Sequence, residues 1–228
     1  MALSPELAAW RKAQRETLLA ARQAVPAAVR AGCSVSINAW LDAGLGHLGR
    51  DVVLGLCWPF KAEFDARHFA ARLRRSGVQT ALPVVRGSRQ GLEFRLWSPG
   101  TKLERGVYGI PFPSDSATVL PDLLLVPPVG MDAQGFRLGY GGGYFDRTLA
   151  TQHPRPLCVA LGFEISRIPN IHPQAHDIGM DALVTERGLQ IKGHAGLETV
   201  DPARFRQQLQ MLKETRANMS GQGRVAGS

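Results

Sequence analysis

The chain has 228 residues, 44% of them apolar, which is enough to bury a sizeable core in one domain or in two closely packed subdomains. Lysine and arginine outnumber aspartate and glutamate by 27 to 19, and the net charge of +8 favours anionic partners: nucleic acid, an acidic membrane surface, or phosphorylated and carboxylated small molecules. Three widely spaced cysteines, short apolar runs and an N-terminus without a secretory signal argue against a disulfide framework, a zinc site, a membrane span and secretion, so we expect a cytoplasmic protein.

The first half of the chain alternates helical and strand patterns. Ser4 and Pro5 are typical of a helix N-terminus, and apolar spacing continues the helix towards Val25, where Pro26 intervenes. The elements predicted next are an ambiguous segment at 34–49, helical and then a glycine-rich loop; a buried strand at Asp51–Trp58; an amphipathic helix at Phe64–Gly77; and two strands, "VQTALPVV" and "LEFRLW", around the turn "RGSRQG".

The second half continues the alternation after proline-rich loops. Its predicted elements are a buried strand at Asp122–Pro127, a helix at Tyr144–Gln152, a strand at Leu157–Phe163, a last short strand "ALVT", and a final helix from Asp201 to about Arg216. We therefore predict an α/β fold: a layered α/β/α domain at 1–200 with a mixed, mostly parallel central sheet, then a C-terminal helix at 201–216 and a disordered tail at 217–228.

The stretch "RLGYGGGYFDR" at Arg137–Arg147 is the most unusual feature of the sequence. Its glycines let backbone N–H groups approach phosphate oxygens, and the following helix N-terminus offers free N–H donors and the positive end of the dipole. The two arginines add positive charge, and Asp146 is a candidate ligand for the magnesium that accompanies nucleotide phosphates. The segment is neither a GxGxxG nor a Walker A motif, and the alternative is a flexible turn with Tyr144 and Phe145 packed beneath a helix.

With these residues in view, "LLLVPPVGMDAQGFRLGYGGGYFDRTL" resembles the signature region of the 5-formyltetrahydrofolate cyclo-ligase family, also called 5,10-methenyltetrahydrofolate synthetases. The family pattern is an apolar strand, a proline-containing turn and "D..G.RLG.G.G[YF]YD". Phe145 stands where a tyrosine is usual, which keeps the ring and loses a hydroxyl. Three weaker segments agree in the same order: "RKAQR" on the first helix, "WPFKAEFD" after the first strand, and "IPNIHPQAHDIGMDALVTE" late in the chain, so the resemblance spans about residues 7–187.

The resemblance implies a set of site residues. The implied catalytic residues are Arg137 and Tyr144, and Asp146 is the implied metal ligand. The implied ATP-binding residues are Arg11, Arg15, Arg137, Leu138, Gly139, Tyr140, Gly141, Gly142, Gly143, Tyr144 and Phe145. The implied folate-binding residues are Trp58, Glu63, Tyr140, Gly141, Gly142, Gly143 and Tyr144. Arg11 stands at the family's usual lysine position, with Lys12 beside it as an alternative.

The resemblance also implies an activity: ATP- and Mg²⁺-dependent conversion of 5-formyltetrahydrofolate to 5,10-methenyltetrahydrofolate. Such an enzyme phosphorylates the formyl oxygen to an imidate phosphate, N10 attacks the activated carbon, and phosphate leaves. Phosphoryl transfer needs positioning and charge stabilisation more than a covalent nucleophile. The implied partners are ATP and 5-formyltetrahydrofolate, with or without a polyglutamate tail, and we expect a monomer that binds neither membrane nor nucleic acid.

Several residues have a simpler interpretation beside the functional one. Arg11 and Arg15 fit an exposed charged helix face equally well, and Glu63 could be a solvated residue before a helix. Trp58 and Tyr108 could stack on a flat ring or fill a core. His172 and His176, four residues apart with Pro173 between them, indicate a loop rather than a metal site. The alternative functions are a divergent family member with another substrate, a basic nucleic-acid-binding α/β protein, or a sugar-phosphate isomerase or acyl-transferase on a similar layout.

Overall fold

The computed structural model describes the backbone of residues 4–222 and the side chains of residues 4–218. Within this part of the chain there are five α-helices: α1 (Pro5–Ala24), α2 (Ala27–Leu45), α3 (Arg67–Arg75), α4 (Tyr144–Thr151) and α5 (Pro202–Gln222). The predicted start of the first helix is confirmed, because the Ser4 hydroxyl accepts a 3.2 Å hydrogen bond from the Leu7 N–H.

Thirteen short strands lie among the described residues. They are β1 (Val53–Leu56), β2 (Gln79–Val85), β3 (Leu92–Leu96), β4 (Leu103–Arg105), β5 (Pro111–Pro113), β6 (Thr118–Val119), β7 (Leu123–Val126), β8 (Gly130–Met131), β9 (Arg137–Leu138), β10 (Leu157–Leu161), β11 (Ala182–Thr185), β12 (Gly188–Gly193) and β13 (Gly196–Val200). No helix of the described residues is long and apolar enough to cross a membrane.

Nine strands form one mixed sheet in the order β13-β12-β11-β10-β7-β1-β2-β3-β6. The five central strands, from β11 to β2, are parallel to one another, and the strands at both edges pair antiparallel. The α/β class with a mixed sheet is therefore confirmed. The parallel centre is where the helical crossovers lie, as expected for strands that are covered on both faces.

The sheet separates two apolar layers, because successive side chains of each strand point to opposite faces. Leu123 and Leu125 of β7 join the larger cluster under α2, α3 and α5, whereas Leu124 and Val126 join a smaller cluster that contains Leu149 of α4. All four strand side chains are almost fully buried. This two-sided burial explains why "LLLV" is a continuous apolar run rather than an alternating one.

The C-terminal region differs from the sequence prediction in two ways. "ALVT" (β11) is not the last strand, because β12 and β13 follow as an antiparallel hairpin whose exposed positions weaken the apolar pattern. The last helix continues to Gln222, so residues 217–222, which the sequence assigned to the tail, are helical. Arg216 helps to hold this end of the helix, since its guanidinium donates to Asp181 at 3.1 Å. Residues 223–228 of the predicted tail lie outside the described part.

Candidate functional site

The fold opens a crevice between the ends of β1 and β7. The chain passes from β1 to β2 on one side of the sheet and later returns to β7 on the other side of β1, so connections diverge at this point. Crevices at such a switch point, beyond the carboxyl ends of parallel strands, are the usual ligand sites of α/β folds. The loop after β1 carries Glu63, and the loop after β7 leads to the glycine segment, so two distant stretches of sequence meet here.

Helix α1 crosses this crevice and presents three arginines to it. Arg11, Arg15 and Arg22 are four and seven residues apart, a spacing that places them on one face of a helix. Leu18 lies on the same side and packs against the apolar cluster that includes Leu138. The three arginines each contact a different loop of the site.

Arg11 is buried and fastens the late loop 171–177. Its guanidinium donates to both carboxylate oxygens of Asp177, at 2.6 and 3.4 Å, and to the carbonyl oxygens of His172 at 2.8 Å and Ile171 at 3.3 Å. These contacts hold the pKa of Asp177 below its usual value against the opposing effect of burial. The expected loop around the histidines is therefore present, and its acidic residue is an ion-pair partner of Arg11.

Arg15 reaches the glycine segment itself. Its Nε atom donates to the carbonyl oxygen of Gly139 at 2.8 Å, and its guanidinium carbon lies only 3.5 Å from where a Cβ on Gly141 would stand. Partial burial and the nearby charge of Arg11 lower the pKa of Arg15. Arg15 is partly exposed, and among the described residues no carboxylate lies within ion-pair distance of its guanidinium, so its charge is available to an anion in the crevice.

The glycine segment joins the small β8–β9 ribbon to α4. Gly141 and Gly143 have φ values of +96° and +63°, which glycine adopts without strain. An added Cβ on Gly142 would lie 2.5 Å from Cε2 of Tyr144, so a side chain there would displace that ring. Because Gly143 is the N-cap of α4, no side chain caps the first N–H groups of the helix, and they face the segment with the positive end of the dipole.

Arg137 and Asp146 form an ion pair behind this segment. The NH2 atom of Arg137 lies 3.1 Å from Oδ1 of Asp146, and its NH1 atom donates to the Ile178 carbonyl at 2.8 Å. Oδ1 of Asp146 also accepts a 3.0 Å bond from the Ile178 N–H. The Arg137 side chain is only 4% exposed, so in this structure its charge supports the segment from within the protein.

Tyr144 and Arg147 lie on the first turn of α4. The guanidinium of Arg147 stacks 5.3 Å from the centre of the Tyr144 ring and donates to the Gly142 carbonyl. The other ring of this turn, Phe145, packs against the smaller apolar cluster, and Leu138 is 1% exposed, so these two residues offer mainly their backbone to a ligand.

Glu63 lies in a buried polar cluster on the opposite wall of the crevice. Its Oε1 atom accepts a 2.7 Å bond from the Tyr140 hydroxyl, its Oε2 atom accepts a 3.0 Å bond from the Phe60 N–H, and Arg22 lies 3.7 Å away. Burial raises the pKa of Glu63, while the bond from Tyr140 and the charge of Arg22 oppose that rise. The alternative interpretation of Glu63 as a solvated residue is wrong, because only 4% of its side chain is exposed.

Aromatic rings flank this cluster. The ring of Phe60 lies 5.7 Å from that of Tyr140 and 6.4 Å from that of Tyr108, which is 74% exposed. The ring of Trp58 instead packs 6.0 Å from that of Trp97, beneath the guanidinium of Arg67. Tyr108 is therefore an exposed ring at the rim and not core filling.

Two residues of the site, Arg22 and Phe60, were not identified from the sequence. The signal for Arg22 was present, because its spacing from Arg15 on a predicted helix puts both on one face. Phe60 carried no such signal, since it lies in an irregular loop whose path the sequence does not specify.

A magnesium site would depend on Asp146. The described residues contain no group of three or more His, Cys, Asp or Glu side chains placed to hold a metal. Mg²⁺ at nucleotide sites is normally held by one or two carboxylates together with phosphate oxygens, so a single carboxylate beside a phosphate-binding segment fits that coordination. Asp146 is partly exposed and meets this requirement.

Comparisons with known proteins agree on one family. Residues 7–186 match the model of the 5-formyltetrahydrofolate cyclo-ligase family. The 5-formyltetrahydrofolate cyclo-ligase of Mycolicibacterium smegmatis is 32% identical over 184 residues, which cover 77% of this chain and 93% of that protein, and the Escherichia coli K12 enzyme of the same name is 33% identical over 55% of this chain and 73% of that protein. The solved structure of 5,10-methenyltetrahydrofolate synthetase from Aquifex aeolicus superposes with a TM-score of 0.69 at 26% identity, covering 82% of this chain and 96% of that one.

Proposed function

Since residues 7–186 match its family model, this chain belongs to the 5-formyltetrahydrofolate cyclo-ligase family, and we propose that it converts 5-formyltetrahydrofolate to 5,10-methenyltetrahydrofolate with ATP. The observation that carries the proposal is the meeting of a glycine-rich segment, open to an anion, with a buried carboxylate across one crevice. The first suits nucleotide phosphates, and the second suits a heterocycle that presents N–H donors.

We assign the ATP phosphates to the glycine segment and helix α1. Backbone N–H groups at Gly139–Phe145 and the N-terminus of α4 would bind phosphate oxygens, and the guanidinium of Arg15 would add charge from the facing helix. Arg11 is already saturated by Asp177 and two carbonyl oxygens, so we assign it the role of fixing the late loop against α1.

We assign the pterin ring of the folate to Glu63 and the adjacent aromatic rings. A carboxylate accepts paired N–H bonds well, and Phe60 with Tyr108 offers flat apolar surface at the rim. Tyr140 and the glycines after it belong to both substrates, because they separate the two halves of the crevice. Trp58 is a more remote wall of this pocket, since its closest ring contact is with Trp97.

The reaction follows from bringing the two substrates together. The formyl oxygen attacks the γ-phosphorus of ATP, ADP leaves, and an imidate phosphate forms. N10 of the folate then attacks the activated carbon and loses its proton, the C–O bond breaks, and inorganic phosphate departs with the former formyl oxygen. Charge builds on phosphate oxygens during the first step, so fixed donors at the segment, with Tyr144 beside them and Arg137 behind, would stabilise the transition state.

Mg²⁺ would be held by the ATP phosphates and the Asp146 carboxylate, and when bound it would neutralise phosphate charge. The pairing of Arg137 with Asp146 would orient that carboxylate towards the segment. The net charge of +8 suits ATP and a polyglutamylated folate. A monomeric state and a cytoplasmic location remain predictions from the sequence.

The test is direct. Pure protein incubated with 5-formyltetrahydrofolate, ATP and Mg²⁺ should raise the methenyl absorbance in the near ultraviolet, and leaving out ATP should abolish the rise. Absence of any change with substrate that a known cyclo-ligase converts would rule the proposal out. An isomerase or an acyl-transferase would need no ATP. In the same assay without ATP, either alternative would be seen only as formation of a different product.

A further inference from the structure

Arg22 is the one arginine of α1 that faces the folate half of the crevice. Its NH2 atom donates to the Tyr140 hydroxyl at 2.8 Å, while its Nε and NH1 atoms donate to the carbonyl oxygens of Lys61 at 3.0 Å and Pro128 at 3.1 Å. The residue is 3% exposed. Four parts of the chain are thereby joined: α1, the loop that carries Glu63, the loop after β7, and the glycine segment with Tyr140.

These contacts fix the position of Glu63 and place a positive charge beside it. Lys61 is two residues before Glu63, so the bond to its carbonyl holds the carboxylate's own loop. The guanidinium lies 3.7 Å from Oε1 of Glu63, within the distance at which an opposite charge stabilises a carboxylate. Tyr140, whose hydroxyl bonds to both Arg22 and Glu63, links the two side chains.

The groups that face Glu63 come from three directions. They are Arg22 on α1, Tyr140 on the glycine segment, and the Cys57 thiol just after β1, whose pKa is raised by burial and by the Glu63 charge and which therefore stays neutral. Arg22 is the only cation among these groups. A carboxyl group buried this deeply is driven towards its neutral form, and here the hydrogen bond from Tyr140 and the positive charge of Arg22 resist this.

We propose that Arg22 is a positioning residue for the folate: it keeps Glu63 ionised and oriented, so that each carboxylate oxygen retains an acceptor site for an N–H donor of the pterin ring. Oε1 already accepts from Tyr140 and Oε2 from the Phe60 N–H, and each oxygen has capacity for a second bond. A protonated Glu63 would present an O–H donor to the ring's own donors. The inference rests on the proposed function, because it assumes that the ligand at Glu63 is the folate.

The test is the pH profile of kcat/KM for 5-formyltetrahydrofolate in the wild type, Arg22→Met and Arg22→Lys. Ionised Glu63 is required, so activity falls as the pH drops through its pKa, and loss of the cation raises that pKa. We expect the acidic limb of Arg22→Met to move up by about 1–3 pH units, and the charge-conserving Arg22→Lys to restore most of the shift. The KM for ATP should change little in either variant.

Arg72→Met is the matched control. Arg72 also pairs with a carboxylate, Asp42 at 3.0 Å, but on the exposed faces of α3 and α2, away from the crevice. The acidic limb of the pH profile of Arg72→Met should coincide with that of the wild type. A merely structural role for Arg22 would lower activity at every pH and leave the limb where it is, which would overturn the proposal.

A second readout does not depend on turnover. Carbon-13 NMR of the Glu63 carboxyl, identified by its absence in Glu63→Gln, should titrate at higher pH in Arg22→Met than in the wild type. If Arg22→Met fails to fold, the double variant with Glu63→Gln should fold again, because no buried charge is then left unpaired. Failure of that rescue, or an unchanged titration, would refute the role of Arg22. An inactive wild type with a shifted titration would instead refute only the folate assignment.

Discussion

Arg11→Met should reduce the stability of the protein rather than its affinity for ATP. The substitution keeps most of the side-chain length but leaves the Asp177 carboxylate without its ion-pair partner, and it removes two bonds to the carbonyl oxygens of Ile171 and His172. The side chains of Arg11 and Asp177 are 5% and 10% exposed, so the pair counts as buried. Breaking such a pair from one side costs about 3 kcal/mol or more.

The measurement is the free energy of unfolding from urea titration followed by circular dichroism, with Arg15→Met as the matched control. Among the described residues Arg15 makes one hydrogen bond, to the Gly139 carbonyl, and its loss should cost about 1 kcal/mol or less. In a chain of this size, a loss of about 3 kcal/mol lowers the melting temperature by about 6–12 °C. The KM for ATP should rise in Arg15→Met and stay close to the wild-type value in Arg11→Met.

The pH dependence of the free energy of unfolding tests the same ion pair. The pKa of Asp177 is depressed in the folded state, so its contribution is present above the pKa of the unfolded chain, about 4, and is lost as the pH falls through the folded value. The stability difference between wild type and Arg11→Met should therefore shrink below about pH 4. Unchanged stability together with a raised KM for ATP would show that Arg11 contacts the nucleotide and that its pairing with Asp177 is incidental.

Three further substitutions separate the parts of the site. Glu63→Gln should raise the KM for folate about tenfold or more, with the KM for ATP nearly unchanged, because an amide N–H would face the pterin donors. Arg137→Ala should lower kcat by about 10²-fold, the scale of losing one transition-state interaction. The variant loses the positive charge of Arg137 and also the contact that orients Asp146. Circular dichroism must first show that this variant folds. Gly142→Ala should reduce kcat by up to about 10²-fold with little loss of stability, since the new methyl group displaces the Tyr144 ring. A kcat equal to that of the wild type would show that the position of this ring is unimportant for the reaction.

The sequence predicted the elements whose signals are local. The Ser4-Pro5 helix start, the two-sided apolar run of β7 and the helix after the glycine segment are all present. The β12–β13 hairpin was missed because its outer positions, such as Lys192 and Glu198, interrupt the apolar pattern at the edge of the sheet. Edge strands give a weaker periodic signal than strands covered on both faces.

The candidate site was predictable as a set of residues but not as an arrangement. The motif located the glycine segment, yet it gave no means of seeing that Asp146 pairs with Arg137 or that Arg11 pairs with Asp177, 166 residues away. The pairing of Arg11 with Asp177 is set by how α1 crosses the ends of β1 and β7. Long-range contacts between loops depend on that packing and leave no spacing pattern in the sequence.

The fate of the formyl oxygen is the measurement that tests the proposed chemistry most directly. Substrate carrying a heavy oxygen isotope in the formyl group should be converted by the wild-type protein with ATP, and the inorganic phosphate should then be analysed by mass spectrometry. If ATP activates the formyl group by phosphorylation, one labelled oxygen should appear in each phosphate released. Methenyl product accompanied by unlabelled phosphate would show that the oxygen leaves by another route and would contradict the phosphorylation of the formyl group.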